Sequence, residues 1–213
     1  MSKLSSAVDF ATKYHEGQKR KDGSDYINHP LRVMEFLKNY NLPEDVLVAG
    51  VLHDIIEDTE ITSMEISKMF WTRVSFIINA LSKNKKPKNY SKLKKEFEEK
   101  IKNKKITNLE NYKNVEEYID FRFHLYINRL YMWILADPAI LFIKVADQID
   151  NLSDMKPFSK EKKLRKIKEV EKYFLPMYKK AENIFKYDEK NFDIYKKFIE
   201  KLESVINEVK SNL

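Results

Sequence analysis

Residues 46–58 read VLVAGVLHDIIED, and this stretch decides how the rest of the chain is to be understood. Seven consecutive apolar or small residues, Val46 to Leu52, lie at helical spacing with no polar face, and a helix apolar on nearly all sides is a buried one. The polar groups that follow then need a reason. His53, Asp54, Glu57 and Asp58 stand at offsets 0, 1, 4 and 5, which at about 100° per residue puts them within about 140° of arc on one continuous helix. One histidine on an apolar face is most often a hydrogen-bonded core residue. Three carboxylates gathered beside it at the end of a buried helix are different, because they repel one another and lose solvation unless a cation or strong donors neutralise them. A divalent metal is the economical remedy.

Working outward, apolar residues recur at helical spacing almost everywhere and no useful alternating pattern appears, so the chain reads as all-α, a bundle of roughly ten helices. Ser2 to Glu16 forms a first helix stopped by Gly17, and a polar loop turns at Asp22-Gly23. His29-Pro30 opens a second helix, with proline in the first turn. Pro43 opens a third, which runs through the quoted stretch until Asp58-Thr59. Thr62 to Phe70 and Arg73 to Leu81 make a short pair. Val115 to Ala136 is a long aromatic helix, Pro138 starts another, and Lys160 to Leu213 reads as two amphipathic helices parted near Tyr187-Asp188. No internal repeat or linker divides the chain, so residues 1–213 read as one domain, with a lysine-rich insert at about 83–113 and a helical extension at about 181–213.

Composition narrows the chemistry. Among 213 residues there are three glycines and no cysteine. Glycine-rich phosphate loops, disulfides, thiolate metal sites and cysteine nucleophiles are therefore excluded. No apolar run approaches a membrane span and the N-terminus lacks a signal-peptide core, so the expected compartment is the cytoplasm. The net charge is +7, and residues 83–105 hold eleven lysines against three glutamates, a balance of +8 that leaves the rest of the chain at −1. That insert has no arginine and only Tyr90 and Phe97 as aromatics, which argues against nucleic acid as a partner. It reads as a solvated helical hairpin or as an electrostatic funnel for an anionic ligand.

Two further places supply groups that suit a metal. Asp147 follows an apolar run in AILFIKVADQIDNL, with Asn151 one turn later. Lys144, one turn earlier, offers Asp147 an ordinary ion pair as the alternative. His29 stands at a helix mouth, where capping would be its plain role. Together His29, His53, Asp54 and Asp147 would offer two imidazoles and two carboxylates, a donor set suited to Mn²⁺, Fe²⁺ or Zn²⁺ more than to Ca²⁺ or Mg²⁺.

The strings KRKDGSDYINHP (19–30), HDIIEDT (53–59) and KVADQIDNL (144–152) carry a family resemblance. A histidine before proline, a His-Asp pair and a distant aspartate resemble the HD-domain metal-dependent phosphohydrolases. Within them, the strings resemble the RelA/SpoT hydrolase domain and the stand-alone small alarmone hydrolases, over about 1–82 and 122–180. The resemblance implies an HD-domain helical fold and hydrolysis of guanosine tetra- or pentaphosphate, with pyrophosphate released from the ribose 3′ position. It implies one Mn²⁺ on His29, His53, Asp54 and Asp147, and Glu57 and Asp58 as the pair that positions and deprotonates the attacking water. Arg20 and Lys21 match a basic pair that meets base and phosphate, Asn151 matches a ribose contact, and Tyr173 matches a tyrosine near substrate phosphate. Lys144 joins them as a substrate-side cation. The implied partner is a small nucleotide, with no membrane and no stated oligomer. Three positions depart from the family pattern: Gln148 replaces the usual arginine after the last ligand, Asp150 stands where an aromatic or histidine is common, and Phe70-Trp71 replaces a Phe-Gly turn. These bear on nucleotide preference. Two other readings are a phosphohydrolase for a different nucleotide or phosphomonoester, and a non-catalytic nucleotide- or RNA-binding module.

Overall fold

The computed structural model describes residues 2–83 and 114–213, with 95, 98 and 99 from the stretch between them. The hairpin read for the lysine-rich insert lies outside the described residues. Within them the protein is all-α; its one extended pairing is an isolated antiparallel bridge, Lys19 to Asp25. No helix among the described residues is long and apolar enough to cross a membrane.

Helix α1 (Lys3–Tyr14) starts at Ser2, whose hydroxyl accepts from the Ser5 N–H. The chain leaves it through Gly17 at φ +76, a left-handed conformation that favours glycine. The Lys19–Asp25 bridge closes the loop that carries Arg20 and Lys21. Helix α2 (Asn28–Asn39) then begins with His29 and Pro30 in its first turn. Helix α3 (Glu44–Val51) opens on Glu44 and Asp45, negative charge where the helix dipole favours it.

The helix expected to run on to Asp58 instead breaks at Leu52–Asp54 and resumes as α4 (Ile55–Asp58). Leu52 and Asp54 have ψ near zero, the Ile55 N–H bonds back only to Leu52, and the Gly50 carbonyl accepts from the His53 ring. The four polar residues therefore do not share one helical arc. His53 and Asp54 occupy a turn, and Glu57 and Asp58 a separate short helix.

Helix α5 (Ser63–Met69) starts with a Thr62–Glu65 capping box. It packs on α6 (Thr72–Lys83). Helix α7 (Val115–Ala136) is capped by Asn114. Asp137 then accepts from Arg73 at 2.7 and 3.0 Å and from the Ala139 N–H at 3.0 Å, which fixes the start of α8 (Ala139–Ser153). The tail departs from its reading as two helices. Helix α9 (Lys160–Glu169) passes into a π turn (Val170–Phe174), then α10 (Leu175–Lys180), α11 (Glu182–Phe185) and α12 (Glu189–Ser211).

Helices α3 and α8 form the middle of the core. Val46 to Leu52 are all buried, and so is α8 from Ala139 to Ile149 except Lys144. Helices α1, α2 and α6 pack on α3, and α2, α6 and α12 on α8. Leu37, Leu52 and Ile55 are wholly buried, each worth about 1.5–3 kcal/mol of removal from water. Helices α2 and α3 approach so closely at Gly50 that a β-carbon there would meet Leu37 Cδ1 at 2.5 Å.

Candidate active site

The α2 mouth, the turn after α3 and the middle of α8 bring their polar side chains to one point. His29 Nε2 lies 3.6 Å from Asp54 Oδ2 and 3.3 Å from Asp147 Oδ1; His53 Nε2 lies 3.1 and 3.8 Å from the same two oxygens. Donor atoms of His29, His53 and Asp147 all fall within 4.8 Å of one another. Both rings have Nδ1 engaged elsewhere. His53 Nδ1 donates to the Gly50 carbonyl at 2.8 Å, and His29 Nδ1 donates to Asp150 Oδ2 at 2.6 Å. These acceptors cannot donate back, so the lone pairs available to a ligand are on Nε2. His53 Nε2 is buried and makes no directed hydrogen bond.

The electrostatics call for a cation. Burial lowers the pKa of both imidazoles, but hydrogen bonds to Asp147, Asp150 and Asp54 push His29 up to about 11. The Asp54 charge and contacts to Asp147 hold His53 up at about 9. Burial raises Asp54 and Asp147, yet His53 beside the first and Lys144 beside the second hold both carboxyls well below the usual range. The carboxylates thus draw protons onto the rings, and a divalent ion would meet the same demand. Two imidazole nitrogens with carboxylate oxygens fit such an ion.

Around this point stand further hydrogen bonds. Tyr26 donates to Asp54 Oδ2 at 2.6 Å, Lys144 Nζ donates to Asp147 Oδ2 at 2.8 Å, and Asn151 Nδ2 donates to Asp147 Oδ1. Glu57 is half-buried on α4. Asp58 is raised by burial and by the Asp54 charge, with Tyr26 and His15 nearby.

A cavity of about 340 Å³ opens beside the cluster, lined by Arg20, Lys21, Asn151 and Phe158 together with His29, Asp54 and Asp147. Arg20 is held by Asp154 at 2.8 Å and by Asn151 Oδ1 at 3.3 Å, and Lys19 by Asp25 at 2.6 Å. Lys21 Nζ sits 5.2 Å from the Phe158 ring centre, and Lys162 Nζ sits 3.6 Å from the same centre. The Lys21 ammonium pulls Lys162 down to about 8. Converging ammonium groups at the cavity edge suit an anionic ligand. Lys144 and Tyr173 are not among the lining residues. Lys144 is turned to Asp147, while Tyr173, on the π turn, stacks on Phe123 and donates to Asp120.

A family model described as an HD domain matches residues 7–182. The chain belongs to the HD-domain family. This HD-domain chain is 29% identical over 171 residues to a guanosine-3′,5′-bis(diphosphate) 3′-pyrophosphohydrolase of Aquifex aeolicus, a match covering 80% of the chain and 20% of that relative. It is 26% identical over 177 residues to a GTP pyrophosphokinase of Streptomyces coelicolor, covering 83% and 18%. The chain thus spans about a fifth of the length of the curated relatives it matches. Among solved structures, one described as a metazoan ortholog of SpoT that hydrolyses ppGpp superposes with a TM-score of 0.62 at 18% identity, covering 100% of this chain and 96% of that one. That likeness establishes a shared fold.

Several residues of the HD-domain site were given no place in it from sequence. Asp150 was noted only as a departure from the family pattern and Asp154 not at all; they lie three and seven residues beyond Asp147, on the helical face that also carries Asn151, and that spacing was the available signal. Tyr26 and Arg32 carried none, since both reach the site through loop and interhelix geometry. The departure at Gln148 faces inward, where its Oε1 accepts from Tyr178 at 3.0 Å.

Proposed function

We propose that this protein is a divalent-metal-dependent phosphohydrolase that acts on a guanosine polyphosphate and releases pyrophosphate from the ribose 3′ position. The observation that carries the reading is the meeting of two Nε2 atoms and two carboxylates, 3.1 to 3.8 Å apart, at the side of a cavity edged by Arg20 and Lys21. His29, His53, Asp54 and Asp147 would hold the ion, with Mn²⁺ preferred and Fe²⁺ or Zn²⁺ as alternatives. A bound ion would supply Lewis acidity and lower the pKa of water. The chain's own groups do the rest. Asp58, already raised by burial and by Asp54, takes the proton from the attacking water together with Glu57. Lys144 balances the charge of Asp147, Asn151 meets both Asp147 and the ribose, and Lys21 meets phosphate at the cavity edge. The relatives named for this chemistry support the substrate class.

The same reading treats residues 1–213 as one hydrolase domain acting in the cytoplasm, with about 83–113 an insert and about 181–213 an extension. Packing of α12 on α8 supports this unity. The test is direct. Mn²⁺-supplemented protein is incubated with guanosine nucleotides bearing a 3′-diphosphate, with nucleotides lacking it, and with simple phosphomonoesters. Pyrophosphate from the 3′-diphosphates alone is the expected result. Orthophosphate from the other substrates would replace this reading with a general phosphatase.

A further inference from the structure

Asp150 has more anchors than its place in the sequence suggests. Its Oδ2 accepts from His29 Nδ1 at 2.6 Å and from Arg32 Nη2 at 3.0 Å, and its Oδ1 accepts from Arg32 Nε at 2.6 Å. Its side chain is only 12% exposed, and Arg32 also reaches Asp154 at 3.4 Å. The arrangement joins α2, which carries both His29 and Arg32, to the face of α8 that carries Asp147. A neutral imidazole has two tautomers and can rotate about its bond to the backbone, and either freedom would turn Nε2 away from the cluster. A carboxylate accepts only from an N–H, so this contact selects the Nδ1–H form, and the fork from Arg32 keeps the carboxylate itself from turning.

We infer that Asp150, clamped by Arg32, is the positioning residue of His29, fixing its tautomer and ring orientation so that Nε2 faces Asp54 and Asp147 as a donor to a divalent cation. Such carboxylate–imidazole pairs make the opposite nitrogen a better ligand, and their loss weakens metal binding by about 10–100-fold. The inference rests on the metal-centre reading above. His53 provides an internal comparison, because its ring is fixed by the neutral Gly50 carbonyl instead.

Three variants test it. Asp150→Ala removes the acceptor, Asp150→Asn keeps the shape but not the charge, and Arg32→Met removes the clamp but leaves the carboxylate. Mn²⁺ affinity is measured by the electron paramagnetic resonance signal of the free ion. The Nδ1–H protons of the two histidines are followed by NMR with Zn²⁺ as the diamagnetic probe. The expected result is a 10–100-fold weaker Mn²⁺ affinity in Asp150→Ala, a smaller loss in Asp150→Asn, and disappearance of the His29 Nδ1–H signal in Asp150→Ala while that of His53 persists. If Asp150→Ala does not fold, the isosteric Asp150→Asn decides, through its affinity and a shifted His29 signal. Wild-type affinity in these Asp150 variants with an unaltered His29 signal would overturn the inference alone. Equal losses in Arg32→Met and Asp150→Ala with the His29 signal intact would also overturn it, reducing Asp150 to a bridge between α2 and α8. A wild-type protein that binds neither Mn²⁺ nor Zn²⁺ would overturn the metal-centre reading, and this inference with it.

Discussion

His29 and His53 each commit Nδ1 to an acceptor that cannot donate, and the consequence is a pair of Nε2 atoms facing two carboxylates. Each residue then has a separable role. Asp54→Ala removes an oxygen 3.1 Å from His53 Nε2, so metal uptake and hydrolysis should be lost together. Glu57→Gln should keep the metal and slow turnover by about 10² or more, as expected for a missing proton acceptor. Metal analysis beside steady-state kinetics separates the two, and unchanged turnover in Glu57→Gln would remove that residue from the chemistry. Protonation sets a further condition, because a metal must displace protons from the imidazoles. His29 is raised to about 11 and His53 to about 9, both above the ordinary 6.5. Apparent Mn²⁺ affinity should therefore climb as pH rises from 6.5 to 9, with protons released on binding; calorimetry in two buffers of different ionisation heat reads this, and a flat affinity contradicts it. The stability sign follows from the same values. A raised histidine contributes stability fully present below about pH 6.5 and lost as pH rises through its folded pKa. The metal-free protein should thus melt lower at pH 9.5 than at pH 7, with a smaller difference once Mn²⁺ is bound.

Helices place these residues, and their legibility depended on regular spacing. Val115–Ala136 was readable to its ends because Asn114 and Asp137-Pro138 are strong boundary signals. His53, Asp54 and Asp147 stood out because each adjoins an apolar run, whereas His29, at a helix mouth after a polar loop, was joined to them as a ligand by the family resemblance. Two irregularities were not readable. The turn at Leu52–Asp54 depends on a ring-to-carbonyl bond from His53 to Gly50, which no periodicity announces. The π turn at Val170–Phe174 shifts the helical register, so Tyr173 turns to Asp120 and Phe123 instead of lining the cavity. Asp150 was visible as a departure from the family pattern, but its partners His29 and Arg32 are more than a hundred residues away in sequence. The α2–α3 crossing offers a test of how tightly the elements hold the site. A β-carbon at Gly50 would stand 2.5 Å from Cδ1 of the wholly buried Leu37. Overpacking of this kind costs about 1–3 kcal/mol, against roughly 1 kcal/mol gained in helix propensity. Gly50→Ala should lower the melting temperature, and Leu37→Ala should cost less in that background than alone. Additive losses would show that Leu37 is not what the new methyl meets.

Across the whole molecule, charge is divided unevenly. Outside residues 83–105 the chain sums to −1, and at the cavity Lys19 and Arg20 are already paired with Asp25 and Asp154. The local cations can hold an anion at contact distance, but they add little to a long-range field of the kind that would draw the proposed polyphosphate substrate from solution. The +8 of residues 83–105 is the large source of net positive charge in the sequence, and net charge of that size raises encounter rates with anions most strongly at low ionic strength. Replacing four of these lysines by glutamine should therefore raise KM several-fold at low salt while kcat is retained, because encounter is impaired and the reacting groups are untouched. The difference from the unmodified protein should shrink as salt approaches about 0.5 M, where the Debye length falls to a few ångströms. Steady-state kinetics on the guanosine 3′-diphosphate nucleotide across that salt range checks both statements. An unchanged KM at every salt concentration would mean that this charge does not serve capture, and that Lys21 at the cavity edge, with Lys162 behind it on the Phe158 ring, accounts for anion binding without it.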